Sequence, residues 1–223
     1  MYTAHFLRLY FSRRECLKQV LERRMRTYFL TAFIAVIGVV SLPAYAAATL
    51  TECDRLTAHA SDPDRIAPGV SSSTMDTDLA IEACTLALAG NPDNSRLLYQ
   101  MGRAYGTAGR GTDARPYLIA AAEAGYAQSQ YVLGYLLVTG LQGEKDTCGS
   151  LPWLVASAEA GLLASLVALP YHVLRNDFDD CDGVPSAEML SNYLVRAPQN
   201  TNNYYALLLI DELSSKLEAA LAP

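Results

Sequence analysis

Apolar positions in the middle of the chain recur with the period of a helix. Ala114, Tyr117, Leu118, Ala121 and Ala122 follow the i, i+3, i+4, i+7, i+8 spacing of one face. Gly125 comes at the end of that run, where a left-handed residue stops a helix at little steric cost. The pattern resumes from about Ala127 to Thr139 and predicts a second helix with Tyr131, Gly134, Tyr135 and Val138 on one stripe. A glycine in mid-helix costs about 1 kcal/mol relative to alanine. Gly134 on the apolar stripe, and Gly102 in the preceding pattern, therefore predict close helix crossings that leave no room for a side chain.

The pattern repeats. Ala121-Ala122-Glu123-Ala124-Gly125-Tyr126 is matched 36 residues later by Ser157-Ala158-Glu159-Ala160-Gly161-Leu162. At the same offset Tyr117-Leu118 falls on Trp153-Leu154, Ser129 on Ser165, Leu133 on Leu169 and Tyr135 on Tyr171. A fainter copy, Leu88-Ala89-Gly90, precedes Ala124-Gly125 by 35 residues. A period in the thirties marks stacked helical units that cannot bury their apolar faces alone. Few strand-like alternations occur, so the expected class is all-α.

The run from Tyr117 through Ala121-Ala122-Glu123-Ala124-Gly125-Tyr126 to Leu133-Gly134-Tyr135 resembles the Sel-one-like repeat, a relative of the tetratricopeptide repeat. The preceding unit, with Asn91-Pro92-Asp93 between its helices and Gly102 in the second, resembles a tetratricopeptide unit more closely. The resemblance covers roughly residues 76 to 176 and weakens where Pro170 replaces the expected glycine. It implies a right-handed α-solenoid of antiparallel helix pairs and a role as a protein-interaction scaffold. The family shares no catalytic residues that could be carried over.

Along the chain, residues 1–24 form a basic extension with Arg8, Arg13, Arg14, Lys18, Arg23 and Arg24 against Glu15 and Glu22. Residues 25–46 read as a signal peptide: Met25-Arg26, an uncharged run from Tyr28 to Val40, then Ala44-Tyr45-Ala46 as the cleavage site. The segment is complete from Met25, so the start codon could be Met1 or Met25. The apolar run is short for a spanning helix, which needs about 20 residues. An uncleaved signal anchor is the alternative. Residues 47–75 read as a capping segment, with a helix near Leu50–Ala58 and a loop to Ser71-Ser72-Ser73. Residues 76–223 read as the solenoid. It begins with a helix from Asp76 to Ala89 that turns Leu79, Ala80, Ala83, Cys84, Ala87 and Leu88 inward. Asn91-Pro92-Asp93-Asn94 then leads into a helix at about Ser95 to Thr107. Gly140 to Gly149 reads as a polar connection, and Pro170 predicts a kink. The array closes with helices near Ser186–Arg196 and Asn203–Ala220, the last being a capping helix with an apolar side from Tyr205, Leu208, Leu209 and Leu213.

Charge narrows the partners. The chain carries 17 basic and 23 acidic side chains. Residues 1–46 hold seven of the basic and two of the acidic, so the exported part keeps 10 and 21, a net of −11. Nucleic acid and anionic membrane want the opposite sign. The expected partner is a protein or peptide, with no nucleic acid and no stable membrane insertion after cleavage.

Cys16 lies in the leader, and Cys53, Cys84, Cys148 and Cys181 remain in a periplasmic or secreted chain. An even number in an oxidising compartment points to disulfides. Three pairings are open from sequence. Antiparallel repeat geometry favours Cys148 with Cys181, because the helix starting near Ser150 and the one ending near Asn176 have neighbouring ends. That leaves Cys53 with Cys84. No Cys-x-x-Cys pair occurs, and His59 and His172 are far apart, which argues against zinc. Asp177-Phe178-Asp179-Asp180-Cys181-Asp182-Gly183 fails as a calcium loop because its fifth and sixth positions are Cys181 and Asp182. No serine, cysteine or phosphate-loop motif of a known catalytic type is present. No catalytic residue, metal or cofactor is therefore assigned.

The leading reading is an exported interaction scaffold or adaptor whose curved face is formed by the first helices of successive units. Arg115, Tyr117, Tyr126 and Trp153 are candidates to line it, although aromatic residues at helical spacing also suit a core. The alternatives are a periplasmic regulator inhibiting a membrane sensor and an enzyme of the cysteine-rich Sel-one-like type.

Overall fold

A computed structural model describes residues 49–141 and 143–221 of the protein. The basic extension, the signal peptide with its cleavage site, and Cys16 lie outside the described residues. Among the described residues nine α-helices follow in order: α1 (Glu52–Thr57), α2 (Thr77–Gly90), α3 (Ser95–Thr107), α4 (Gly111–Glu123), α5 (Ala127–Thr139), α6 (Thr147–Glu159), α7 (Leu163–Leu174), α8 (Ala187–Arg196) and α9 (Tyr204–Leu221). Short 3-10 turns lie at Ser72–Thr74 and Ala197–Asn200. From α1 to α9 each helix packs on its neighbour in sequence, so the fold is an all-α solenoid of antiparallel helix pairs.

The ends of the helices show why the 36-residue step recurs. At the end of α4, Gly125 takes φ +84°. Its N–H reaches Ala122 O at 3.0 Å, and the N–H of Tyr126 reaches Ala121 O at 3.0 Å. Gly161 takes φ +87° at the end of α6 with the same two bonds, to Ala158 O and Ser157 O. This paired closure satisfies carbonyls that the helix end would otherwise orphan. Serines 36 residues apart complete the joint. Ser129 donates to Leu118 O at 2.8 Å. Ser165 donates to Ser157 Oγ at 2.7 Å, and Ser157 in turn donates to Ala127 O at 2.9 Å.

The glycines mark the crossings. A Cβ on Gly102 would stand 2.7 Å from Leu118 Cδ2, and one on Gly134 would stand 2.7 Å from Leu154 Cγ. Both also face a backbone oxygen, of Ala114 and Ser150, at 3.3 Å. The interlocked pairs are therefore α3 with α4 and α5 with α6, one helix out of step with pairs read as α4–α5 and α6–α7. At the third equivalent position stands Pro170, and α7 packs less closely on α8. Helix α7 nevertheless runs through Pro170 to Leu174 instead of breaking there. Buried positions form successive clusters along the stack. One joins Cys53, Cys84, Leu97 and Met101, the next Tyr99, Leu118, Ala121 and Tyr126, and the largest runs from Val138 to Leu217.

Four expectations need correction. In α2 only Ala80 and Cys84 are fully buried, and Leu79 is 54% exposed because α1 is too short to cover that side. Helix α6 starts at Thr147, capped by the Asp146 side chain on Gly149 N, so Cys148 lies inside the first turn and not before it. In α5, Gly134 and Val138 are buried but Tyr135 is exposed. In α9 the buried stripe is Ile210, Leu213 and Leu217, whereas Tyr205, Leu208 and Leu209 face outward.

Residues 49–75 are bound tightly to the first repeat. Thr51 and Asp54 form a reciprocal capping box at α1. The same Asp54 carboxylate, fully buried, receives Arg96 Nε at 2.7 Å, Arg96 Nη2 at 3.3 Å and Gln100 Nε2 at 3.0 Å. Burial alone would raise its pKa. The hydrogen bonds from Arg96, Thr51 and Gln100 outweigh that and hold it below the usual carboxylate range. The structure also brings the sulfurs of Cys53 and Cys84, and of Cys148 and Cys181, to disulfide distance.

Candidate binding groove

Helices α3, α5 and α7 line one face of the stack, and two cavities lie along it. The first has a volume of about 620 Å³. The capping segment supplies His59, Ser72 and Ser73 to it, α3 supplies Tyr99 and Arg103, and α5 supplies Gln128, Tyr131 and Val132. The second, about 570 Å³, is lined by Tyr131 and Tyr135 of α5, Val167, Tyr171 and His172 of α7, and Leu209 of α9. Tyr131 lines both, so the two cavities are neighbours on this face. Both are open to solvent, and their volumes lie in the range of ligand-binding clefts.

The two parts differ in chemistry. In the first, Arg103 ties the cap to the solenoid: Nη1 donates to Thr57 O at 2.8 Å, and Nη2 donates to Val70 O at 2.6 Å and Ser72 Oγ at 3.3 Å. All three acceptors are neutral. Burial lowers the pKa of Arg103, but a guanidinium keeps its proton. His59 accepts the Ser61 N–H on Nδ1 at 3.2 Å. Burial, followed by the charge of Arg103, pushes its pKa below the ordinary histidine value, so it is neutral at pH 7. Gln128, only 4% exposed, leaves its buried side-chain oxygen without a hydrogen-bond partner.

Behind this cavity, Tyr126 donates its hydroxyl to Asp62 Oδ2 at 2.6 Å. Burial raises the pKa of Asp62 despite that bond. Burial also raises the Tyr99 and Tyr126 hydroxyls well above ordinary tyrosine. The second cavity is aromatic. The Tyr131 and Tyr135 rings lie 6.1 Å apart, and Arg175 stands 5.3 Å above the Tyr171 ring. His172 Nδ1 meets Asp177 Oδ2 at 2.8 Å, and this bond holds the Asp177 carboxyl below its ordinary range. Asp177 is thus engaged with its own helix end, and Phe178 beside it is buried.

The candidate surface residues separate. Arg115, Tyr117 and Trp153 lie on α4 and α6, away from the groove lining. Tyr126 is buried at the cap joint, and Tyr117 stacks on Tyr105 at 5.7 Å. The groove uses the other helix of each interlocked pair, led by Arg103, Gln128, Tyr131, Tyr135 and Tyr171. Tyr135 and Tyr171 share the 36-residue step, so their recurrence was a usable signal. Gln128 carried none, because an unsatisfied amide is visible only once its surroundings are placed.

No protein-family model matches the chain, and no curated protein sequence matches it significantly. Among solved structures, the chain is similar to a crystal structure of a Sel1 repeat protein from Oxalobacter formigenes. The identity is 19%, the match covers 57% of this chain and 97% of that one, and the TM-score is 0.49.

Proposed function

We propose that the protein is an exported interaction scaffold or adaptor that holds an extended segment of a partner protein along the α3–α5–α7 face. The observation that carries this reading is the pair of cavities joined at Tyr131, half-polar and half-aromatic, running across successive repeats. Aromatic side chains and a few converging polar groups are what peptide-binding surfaces concentrate. The rest of the stack is built as a support. Its crossings are closed to the point of excluding a Cβ, and its buried serines are hydrogen-bonded. Export is supported by the leader-like residues 25–46 and by two cysteine pairs at disulfide distance, which suit an oxidising compartment. Among the described residues no helix is long and apolar enough to cross a membrane.

A photo-crosslinking amino acid placed singly at Tyr135, Tyr171 or Asp93 tests the reading. Asp93 is exposed in the turn before α3 and lies outside the groove. Expressed in cells, the first two variants should trap the same partner band and the third should not. Equal trapping at all three positions, or trapping at Asp93 alone, would refute a groove on this face.

A further inference from the structure

Three observations in the cap-side cavity need a single explanation. The charge of Arg103 meets only neutral acceptors, and among the described residues no carboxylate lies within ion-pair distance of it. His59, with Nδ1 taken up by the Ser61 N–H, carries its proton on Nε2 and can donate it. Gln128 holds a buried acceptor with nothing to accept, and such a group normally has a partner. A cation and a donor ask for an anion, and the orphaned oxygen asks for an N–H or O–H. The remaining wall, Leu118, Val132 and Leu136, asks for an apolar side chain.

We propose that this cavity takes the free carboxyl terminus of a peptide that ends in an apolar residue. The carboxylate faces Arg103 and His59, the last backbone N–H donates to Gln128, and the last side chain lies against Leu118, Val132 and Leu136. One residue carries all three groups around one Cα, which is why one cavity can satisfy them together. His59, Ser72 and Ser73 of the capping segment line this cavity, and Arg103 fastens that segment over it through Thr57, Val70 and Ser72. This assignment rests on the groove being a peptide seat and adds the chemistry of the end that it recognises.

The test uses the full protein with both cysteine pairs oxidised. The probes are N-acetyl-Ala-Ala-Leu as the free acid, the same peptide as its C-terminal amide, and inorganic phosphate. Binding is followed by NMR through the side-chain amide of Gln128 and the aromatic signals of Tyr135 and Tyr171. The free acid should move the Gln128 signals and bind about tenfold tighter than the amide, as expected for one charge-assisted contact. Gln128→Met should lose about fivefold in affinity with no fall in melting temperature, since it removes an unpaired acceptor. Arg103→Met should also weaken the acid but loosens the cap, so Gln128→Met is the deciding variant. Equal binding of acid and amide, or equal shifts from phosphate, overturns the proposal. So does silence at Gln128 up to millimolar peptide. Shifts confined to Tyr135 and Tyr171 would overturn it while leaving the groove as a peptide seat. If no peptide moves any of these signals, both readings fail.

Discussion

Gly134→Ala places a methyl group where α5 and α6 touch. Elsewhere in a helix this change stabilises by about 1 kcal/mol through propensity. Here the new Cβ would lie 2.7 Å from Leu154 Cγ, 2.8 Å from Leu154 Cδ2 and 3.3 Å from Ser150 O. Leu154 is fully buried and the oxygen belongs to the backbone, so neither can retreat cheaply. Overpacking of this kind costs about 1–3 kcal/mol. The two terms oppose each other, and the net expectation is a loss of about 1 kcal/mol, or about 2–4 °C in Tm for a chain of this size. Gly90→Ala is the control, because nothing stands within 4 Å of its Cβ position at the end of α2. That variant should be neutral or slightly more stable. Leu154→Ala alone should cost about 2–5 kcal/mol. Combined with Gly134→Ala it should cost about 1–2 kcal/mol less than the sum, because the new methyl fills space that the leucine vacates. The assay is guanidinium unfolding followed by circular dichroism at unchanged slope, so that a midpoint shift reports stability. A Gly134→Ala protein about 1 kcal/mol more stable than the parent, or strict additivity in the double variant, would refute the close-crossing account.

Other outcomes follow from the cap, the cysteines and the leader-like segment. Asp54→Ala strands Arg96 in a buried site and should cost about 3–5 kcal/mol near pH 7, read by denaturant unfolding. The pH dependence has a definite sign. Asp54 has a lowered folded pKa, so its contribution is present above pH 3.8 and is lost as pH falls through the lowered value, and hydrogen exchange in residues 49–75 should accelerate there. Asp62 has a raised folded pKa, so its contribution is full below pH 3.8 and lost as pH rises through the raised value; Asp62→Asn, which still accepts from Tyr126, should stabilise at pH 7 and lose that advantage near pH 3. Replacing Cys148 and Cys181 together by serine opens a link across 33 residues and should cost about 3–4 kcal/mol in thermal unfolding, with the parent falling to the same value under reductant. If residues 25–46 are a cleaved leader, N-terminal sequencing of the protein recovered from cells should begin at Ala47, and a start at Met1 or Met25 would refute cleavage there.

The backbone plan was legible because its signals are local. Asn94, Gly125 and Gly161 announce helix ends through caps and left-handed turns, and the boundaries of α3 and α5 coincide with the periodicity. Gly102 and Gly134 announced crossings, since only contact explains a glycine on a buried stripe. Which helices interlock was less legible, because a 36-residue step fits either pairing of neighbours. The outer elements misled for another reason. Leu79, Leu208 and Leu209 continue the apolar spacing but lie where the stack runs out of partners, and helical period alone does not say what stands opposite. The groove was least legible, because it depends on Arg103, Gln128 and His59 converging from three separate segments.

The glycine crossings also give the array a single seam at which it can lengthen. A copy of residues 111–146 inserted after Asp146 would set Gly134 of the parent against the copied Leu118, and the copied glycine against Leu154. The new junction would again set a glycine against a leucine, as the Gly102–Leu118 and Gly134–Leu154 crossings do. The same block placed after Asn176 would set the copied Leu118 against Pro170, which carries side-chain atoms where Gly102 and Gly134 carry none. Growth is therefore easier from within the stack than beyond α7.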